Sequence, residues 1–146
     1  MREIKSVCVV DDDAVHLEIM SFMLRRMGFR DVVTFSGAEE ALDYVSSHDV
    51  HLIVSDWNMS PMSGMEFLEK VRSSDRLKHT PFLMVTANCS ESYWRDAIKA
   101  GATEFLFKPL SLHAFMSAVE MCVDAPDQAW RNVDRARAMS GEPTFS

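Results

Sequence analysis

The 146-residue chain is poor in cysteine and glycine, and it lacks a long apolar run. Its three cysteines, Cys8, Cys89 and Cys122, are scattered and form no Cys-x-x-Cys pair. The sequence therefore predicts neither a disulfide framework nor a zinc site. No apolar stretch approaches the roughly 18 residues that span a bilayer, and the amino terminus does not have the pattern of a secretory signal. Together these absences predict a cytoplasmic protein without membrane insertion.

Positive charge is also scarce, with 15 Lys and Arg against 22 Asp and Glu and a net charge of −7. A chain this acidic is expected to repel DNA phosphates, so we expect no DNA partner. Hydrophobic residues make up 47% and charged residues 25%, which is typical of an ordinary globular domain. The length suits one domain.

Short apolar runs with strand character alternate with stretches of helical spacing. The predicted strands are residues 7–10, 32–35, 52–54, 82–85 and 104–107. In the first helical stretch Val15, Ile19, Phe22 and Met23 recur at i, i+4, i+7 and i+8, which predicts an apolar helix face. Five strands alternating with five helices predict βαβ units and a parallel sheet covered by helices.

Capping signals and a change of composition set the predicted boundaries. Ser36 with Glu39 and Ser63 with Glu66 have the capping-box pattern, and Gly28 and Gly101 lie where helices should end. Residues 4–123 are predicted to form the domain. For the extension 124–146, a short helix and a flexible tail are both open.

Polar residues follow four of the five predicted strands. Asp11-Asp12-Asp13 follow the first, Asp56 the third, Thr86-Ala87 the fourth and Lys108-Pro109 the fifth. Because the carboxyl ends of parallel strands meet at one edge of the sheet, we expect these side chains to converge. Neighbouring carboxylates repel one another unless a cation is bound, and an all-oxygen set favours Mg²⁺. Carboxylates, Mg²⁺, a lysine and a hydroxyl are what phosphoryl transfer requires.

In these motifs residues 4 to about 123 resemble the receiver domain of bacterial two-component response regulators. The run from Val54 to Met59, followed by Gly64, is particularly similar to the single-domain chemotaxis members of that family. The resemblance implies a flavodoxin-like, doubly wound five-stranded parallel sheet of order 2-1-3-4-5 with five flanking helices. It also implies a peptide bond before Pro109 in the cis form.

The resemblance further implies a role for individual residues. Asp56 would be the phospho-acceptor, and Mg²⁺, which Mn²⁺ could replace, would be held by Asp11, Asp12, Asp56 and the backbone carbonyl of Asn58. Lys108 would contact a phosphoryl oxygen and pair with Asp56 when it is free. The remaining implied roles are switching for Thr86 and Phe105, phosphate-binding N–H groups for Trp57 and Ala87, and tuning of dephosphorylation for Asn58 and Asn88.

The implied partners are a histidine kinase or histidine phosphotransfer protein, and a downstream protein bound through the face of the fourth helix, fifth strand and fifth helix. Phosphorylation would change the charge at one carboxylate and bias a two-state element. The protein would then be a signalling phospho-acceptor in chemotaxis or another phosphorelay, and not an enzyme that turns over a metabolite.

Other functions remain as alternatives. Asp11-x-Asp13 also fits a haloacid-dehalogenase-type phosphatase with Asp11 as the nucleophile, although no acidic pair follows Lys108 and Asp56 would be unexplained. A receiver cut from a hybrid histidine kinase and a receiver that serves as a constitutive scaffold are two further alternatives. A flavin binder is disfavoured because no glycine-rich phosphate loop follows the first strand.

Overall fold

A computed structural model describes residues 6–88 and 90–124 of the chain. In this part of the chain strands and helices alternate strictly. The strands are β1 (Ser6–Val10), β2 (Asp31–Phe35), β3 (Leu52–Asp56), β4 (Phe82–Thr86) and β5 (Glu104–Phe107). The helices are α1 (Ala14–Arg26), α2 (Ala38–Ser47), α3 (Gly64–Ser73), α4 (Glu91–Ala100) and α5 (Leu112–Asp124).

The strands form one parallel sheet in the order β2-β1-β3-β4-β5. This confirms the predicted fold class, and each strand lies within two residues of its predicted position. β1, β3 and β4 are buried along their whole length, whereas the edge strand β2 is partly exposed. A sheet with helices on both faces requires such apolar central strands.

The core consists of two clusters, one on each face of the sheet. Cys8 and Val10 of β1 belong to the cluster that includes residues of α2, α3 and α4, whereas Val7 and Val9 belong to the cluster that includes residues of α1 and α5. Successive residues of a strand point to opposite faces. The continuous apolar runs of the sequence therefore supply both halves of the core.

The apolar face predicted for α1 is wrong for three of its four residues. Val15 and Phe22 are each 61% exposed and Ile19 is 40% exposed. The helix instead buries Met20, Met23 and Leu24. Apolar residues occupy more than one face of this helix, and periodicity alone does not distinguish the face that meets the sheet.

The helix termini agree with the sequence except at α2. Ser63 and Glu66 form the predicted capping box at α3, and Gly28 and Gly101 have positive φ at the ends of α1 and α4. The N-cap of α2 is Gly37, with no side-chain hydrogen bond. The Ser36–Glu39 box is therefore wrong, because the chain enters α2 one residue later than predicted.

The predicted extension, 124–146, lies almost entirely outside the described residues. The extension and the domain boundary before it therefore stay predictions. Among the helices that the structure does describe, none is both long and apolar enough to cross a membrane.

Candidate functional site

Asp56 is the last residue of β3 and lies at the carboxyl edge of the sheet. The residue is only 5% exposed. Its Oδ1 accepts a hydrogen bond of 2.9 Å from the backbone N–H of Trp57, and the same N–H also donates to the Val85 carbonyl at 3.0 Å. The pairing of β3 with β4 therefore fixes the N–H group that binds this carboxylate.

Three carboxylates meet at this edge, as the sequence predicts. Oxygen atoms of Asp11, Asp12 and Asp56 all lie within 4.8 Å of one another. Asp11 is fully buried and Asp56 nearly so, whereas Asp12 is exposed. A compact set of oxygen donors that is open to solvent on one side fits a hard divalent cation such as Mg²⁺.

The third acid of the run, Asp13, has a different role. Its Oδ1 accepts hydrogen bonds from the backbone N–H groups of Val15 at 2.9 Å and His16 at 3.3 Å. These bonds, the one from His16 first, lower the pKa of Asp13. Asp13 is therefore the N-cap of α1, and it fixes the start of the helix directly after the neighbouring acids.

The environment of Asp56 disfavours its ionised form. Burial is the main cause, the charge of Asp11 adds to it, and the pKa of Asp56 rises to about 6. The charge of Lys108 and the Trp57 N–H act in the opposite direction but do not cancel the rise. A bound cation would relieve the repulsion between the carboxylates.

Lys108 reaches the site from the end of β5, and its side chain is 10% exposed. Its Nζ lies 2.8 Å from Asp11 Oδ2 and 3.6 Å from Asp56 Oδ1. The expected pairing with Asp56 is therefore present, but the shorter contact is to Asp11. The peptide bond to Pro109 is cis, as expected.

His16 is a site residue that the sequence motifs do not single out. Its Nδ1 lies 2.9 Å from Lys108 Nζ and 3.6 Å from Asp11 Oδ2. The available signal was its position in the first turn of the helix that follows the acidic run. Periodicity placed it outside the predicted apolar face but did not indicate what it contacts.

Thr86 and its neighbours line the adjoining part of the edge. Thr86 is fully buried at the end of β4, and its Oγ1 accepts a hydrogen bond of 3.1 Å from the Asn88 N–H. The Asn88 side-chain oxygen in turn accepts from Ser90 N–H at 2.9 Å. Ala87 and Asn58 are exposed. Asn58, Ala87 and Asn88 lie on the loops that follow β3 and β4, where the sequence predicts them.

Gly64 explains how α3 approaches the site so closely. A Cβ at this position would lie 2.0 Å from the Asp56 carbonyl oxygen and 2.8 Å from Trp57 Cα. The Gly64 N–H donates to the Trp57 carbonyl at 2.8 Å. Because only a residue without a Cβ fits here, Gly64 fixes the loop after Asp56 against the start of α3.

A chain of aromatic contacts leads away from Asp56. The Trp57 ring stacks on Tyr93 of α4 with a centroid distance of 4.3 Å and meets the edge of Phe105 at 6.4 Å. Phe105 is 7% exposed and contacts Phe107 at 5.2 Å. The residue beside Asp56 is therefore in contact with both α4 and β5.

Comparison with known proteins agrees with this geometry. The family model described as "Response regulator receiver domain" matches residues 7–120. The chemotaxis protein CheY of Pseudomonas aeruginosa is 32% identical over 114 residues, which cover 78% of this chain and 92% of that protein. CheY1 of Helicobacter pylori is 30% identical over 120 residues, 82% of this chain and 97% of that protein. The structure of CheY4 from Vibrio cholerae aligns with a TM-score of 0.75 at 30% identity, covering 81% and 98% of the two chains.

The chain belongs to the response regulator receiver family. Receiver domains bind Mg²⁺ at an acidic cluster of this kind. Membership of this family implies a histidine kinase as a partner and a downstream target. The phosphatase alternative is not favoured, because the family model and the curated relatives that match this chain are receivers and chemotaxis proteins.

Proposed function

We propose that this protein is a phospho-accepting response regulator in chemotaxis-type signalling, with Asp56 as the acceptor. The observation that carries the proposal is the position of Asp56, buried at the carboxyl end of β3 within 4.8 Å of the Asp11 and Asp12 oxygens. The named relatives, which are chemotaxis proteins, support the pathway.

In the proposed reaction, a carboxylate oxygen of Asp56 attacks the phosphorus of a phosphohistidine on the partner kinase or phosphotransfer protein. The new O–P bond forms as the P–N bond breaks, and the bonding electron pair remains on the imidazole nitrogen. Lys108, with Nζ 3.6 Å from Asp56 Oδ1, is placed to offset charge on the phosphoryl oxygens. The N–H groups of Trp57 and Ala87 would donate to the same oxygens.

Asp11, Asp12, Asp56 and the Asn58 carbonyl would hold Mg²⁺, or Mn²⁺ in its place. When bound, the ion supplies positive charge that stabilises the transferring phosphoryl group. Asp11 is already oriented by a 2.9 Å hydrogen bond from the Asp13 N–H, and Asp12 is exposed at the entrance. Asn58 and Asn88 flank the acceptor and would set the lifetime of the phosphoryl group.

The signal would reach the output face through Thr86 and the aromatic contacts. Thr86, whose Oγ1 accepts from the Asn88 N–H, would move so that its hydroxyl donates to a phosphoryl oxygen. Since Trp57 contacts both Tyr93 of α4 and Phe105 of β5, a shift beside Asp56 would alter the face of α4, β5 and α5 on which a protein target binds. Phe105 has no hydroxyl, so it would act through packing alone.

Intact-mass analysis after incubation with acetyl phosphate and Mg²⁺ tests the acceptor. The wild type should gain one phosphoryl group, and Asp56→Asn should gain none. Asp43→Asn, at an exposed position on α2, is the matched control and should behave as wild type. A phosphoryl group mapped to Asp11 would refute the assignment.

The pathway needs a separate test in the organism of origin. Chromosomal Asp56→Asn should abolish chemotactic spreading in soft agar while flagella remain. Normal spreading would refute the chemotaxis assignment and leave the acceptor chemistry untouched.

A further inference from the structure

Lys108 has a third neighbour that the acceptor chemistry does not require. Besides Asp11 Oδ2 at 2.8 Å and Asp56 Oδ1 at 3.6 Å, its Nζ lies 2.9 Å from His16 Nδ1. A protonated amine has three N–H donors and no acceptor. The Lys108 amine is therefore the donor in this contact, and Nδ1 is the ring atom that can accept from it.

The backbone of His16 is held in the first turn of α1. The His16 N–H donates to Asp13 Oδ1 at 3.3 Å, so the residue is fixed in the capped first turn of α1. From there the side chain lies between Asp11 and Asp13, with Nδ1 3.6 Å from an oxygen of each. It is 35% exposed, so core packing does not account for its position.

We propose that His16 is a positioning residue that orients the Lys108 amine toward Asp56. This inference rests on the proposed phospho-acceptor function. With two N–H groups directed to Asp11 and His16, the third is left for Asp56 or for a phosphoryl oxygen on it. Without His16, the amine would keep the contact with Asp11 and the longer one with Asp56, and the donor that faces Nδ1 would have no fixed direction.

The acidic cluster should be little affected by the loss of the imidazole. The ring approaches the cluster at Asp11, where Nδ1 lies 3.6 Å from Oδ2, which is longer than a hydrogen bond, and the cap of α1 uses the His16 backbone. The expected change is therefore confined to the step that uses Lys108. A slower phosphorylation of about three- to tenfold corresponds to the loss of one hydrogen bond.

A pair of substitutions separates the acceptor on Nδ1 from the bulk of the ring. His16→Met removes the strong acceptor and keeps a similar length, whereas His16→Gln offers an amide oxygen. The rate constant of phosphorylation by acetyl phosphate at saturating Mg²⁺ is followed by tryptophan fluorescence and checked by intact mass. We expect His16→Met to be three- to tenfold slower, and His16→Gln to return to within twofold of wild type.

Two further measurements exclude a merely structural effect. The Mg²⁺ concentration for half-maximal change of tryptophan fluorescence should stay within twofold of wild type in both variants. In a Lys108→Met background, His16→Met should slow the reaction no further, since the two residues act through one contact. His48→Met, at an exposed histidine at the end of α2, should match wild type.

Equal rates for His16→Met and wild type would overturn the inference. So would a Gln variant as slow as the Met variant, or an undiminished effect of His16→Met without Lys108. In each of those cases the wild type is still phosphorylated on Asp56, so the proposed function survives. If the wild type itself takes no phosphoryl group on Asp56, both proposals fall together.

Discussion

Replacing Asp56 with Asn should stabilise the metal-free protein at neutral pH. The buried carboxylate, close to the charge of Asp11, has its pKa raised from 3.8 to about 6. An amide removes this charge and keeps an oxygen that can accept the hydrogen bond from the Trp57 N–H. The substitution therefore removes the free-energy cost of the buried charge and should leave the fold unchanged.

The sign and the size follow from proton linkage. Between pH 4 and pH 6 the folded protein keeps a proton on Asp56 that the unfolded chain has released, so stability falls as pH rises through this window. The shift from 3.8 to about 6 corresponds to a cost on the order of 3 kcal/mol above pH 7, at 1.36 kcal/mol per pKa unit. At pH 4.5 the same linkage gives a cost of about 1 kcal/mol.

Urea unfolding of wild type and Asp56→Asn in EDTA, at pH 4.5 and pH 7.5, measures this directly. The stability advantage of the variant should grow by about 2 kcal/mol between the two pH values. Carboxylates far from Asp56 titrate equally in both proteins and cancel in the difference. Addition of Mg²⁺ at pH 7.5 should stabilise the wild type more than the variant, because the ion binds the folded acidic cluster.

A pH-independent difference between the two proteins would refute the reasoning, because it would mean that the carboxylate is not protonated preferentially in the folded state. A variant that is less stable than wild type at pH 7.5 would refute it as well. Asp43→Asn, on the exposed surface of α2, should show no comparable pH-dependent gain.

Four other substitutions test the structure with the same unfolding assay. Gly64→Ala should cost about 3 kcal/mol, because its Cβ would lie 2.0 Å from the Asp56 carbonyl oxygen; an unchanged midpoint would contradict this contact. Ser63→Ala should cost about 1 kcal/mol through loss of the α3 cap, whereas Ser36→Ala should be nearly neutral because Gly37 is the cap of α2; equal effects would contradict the assigned caps. Arg72→Met should cost about 2 to 3 kcal/mol, since the guanidinium donates to the Gly101 carbonyl at 2.9 Å and the Thr80 carbonyl at 2.7 Å; a neutral result would contradict those bonds.

The order of elements and the edge that carries the chemistry were open to prediction from the sequence. The strand and helix periods are local properties of the chain, and a parallel βαβ fold places every strand end at one edge. Asp11, Asp56, Thr86 and Lys108 are therefore predicted to converge from their positions after apolar runs. The capping box of α3 could also be predicted from the sequence, because its two partners are three residues apart.

Contacts between distant parts of the chain were decided by the tertiary structure alone. The buried face of α1 depends on where the sheet lies, so the exposed Val15 and Phe22 could not be distinguished from core residues by periodicity. The stack of Trp57 on Tyr93 and the contact of His16 with Lys108 join elements whose separation is set by helix packing. A sequence pattern specifies which side chains reach an edge, but the distances among them, and hence their charges and hydrogen bonds, arise only when the helices are packed onto the sheet.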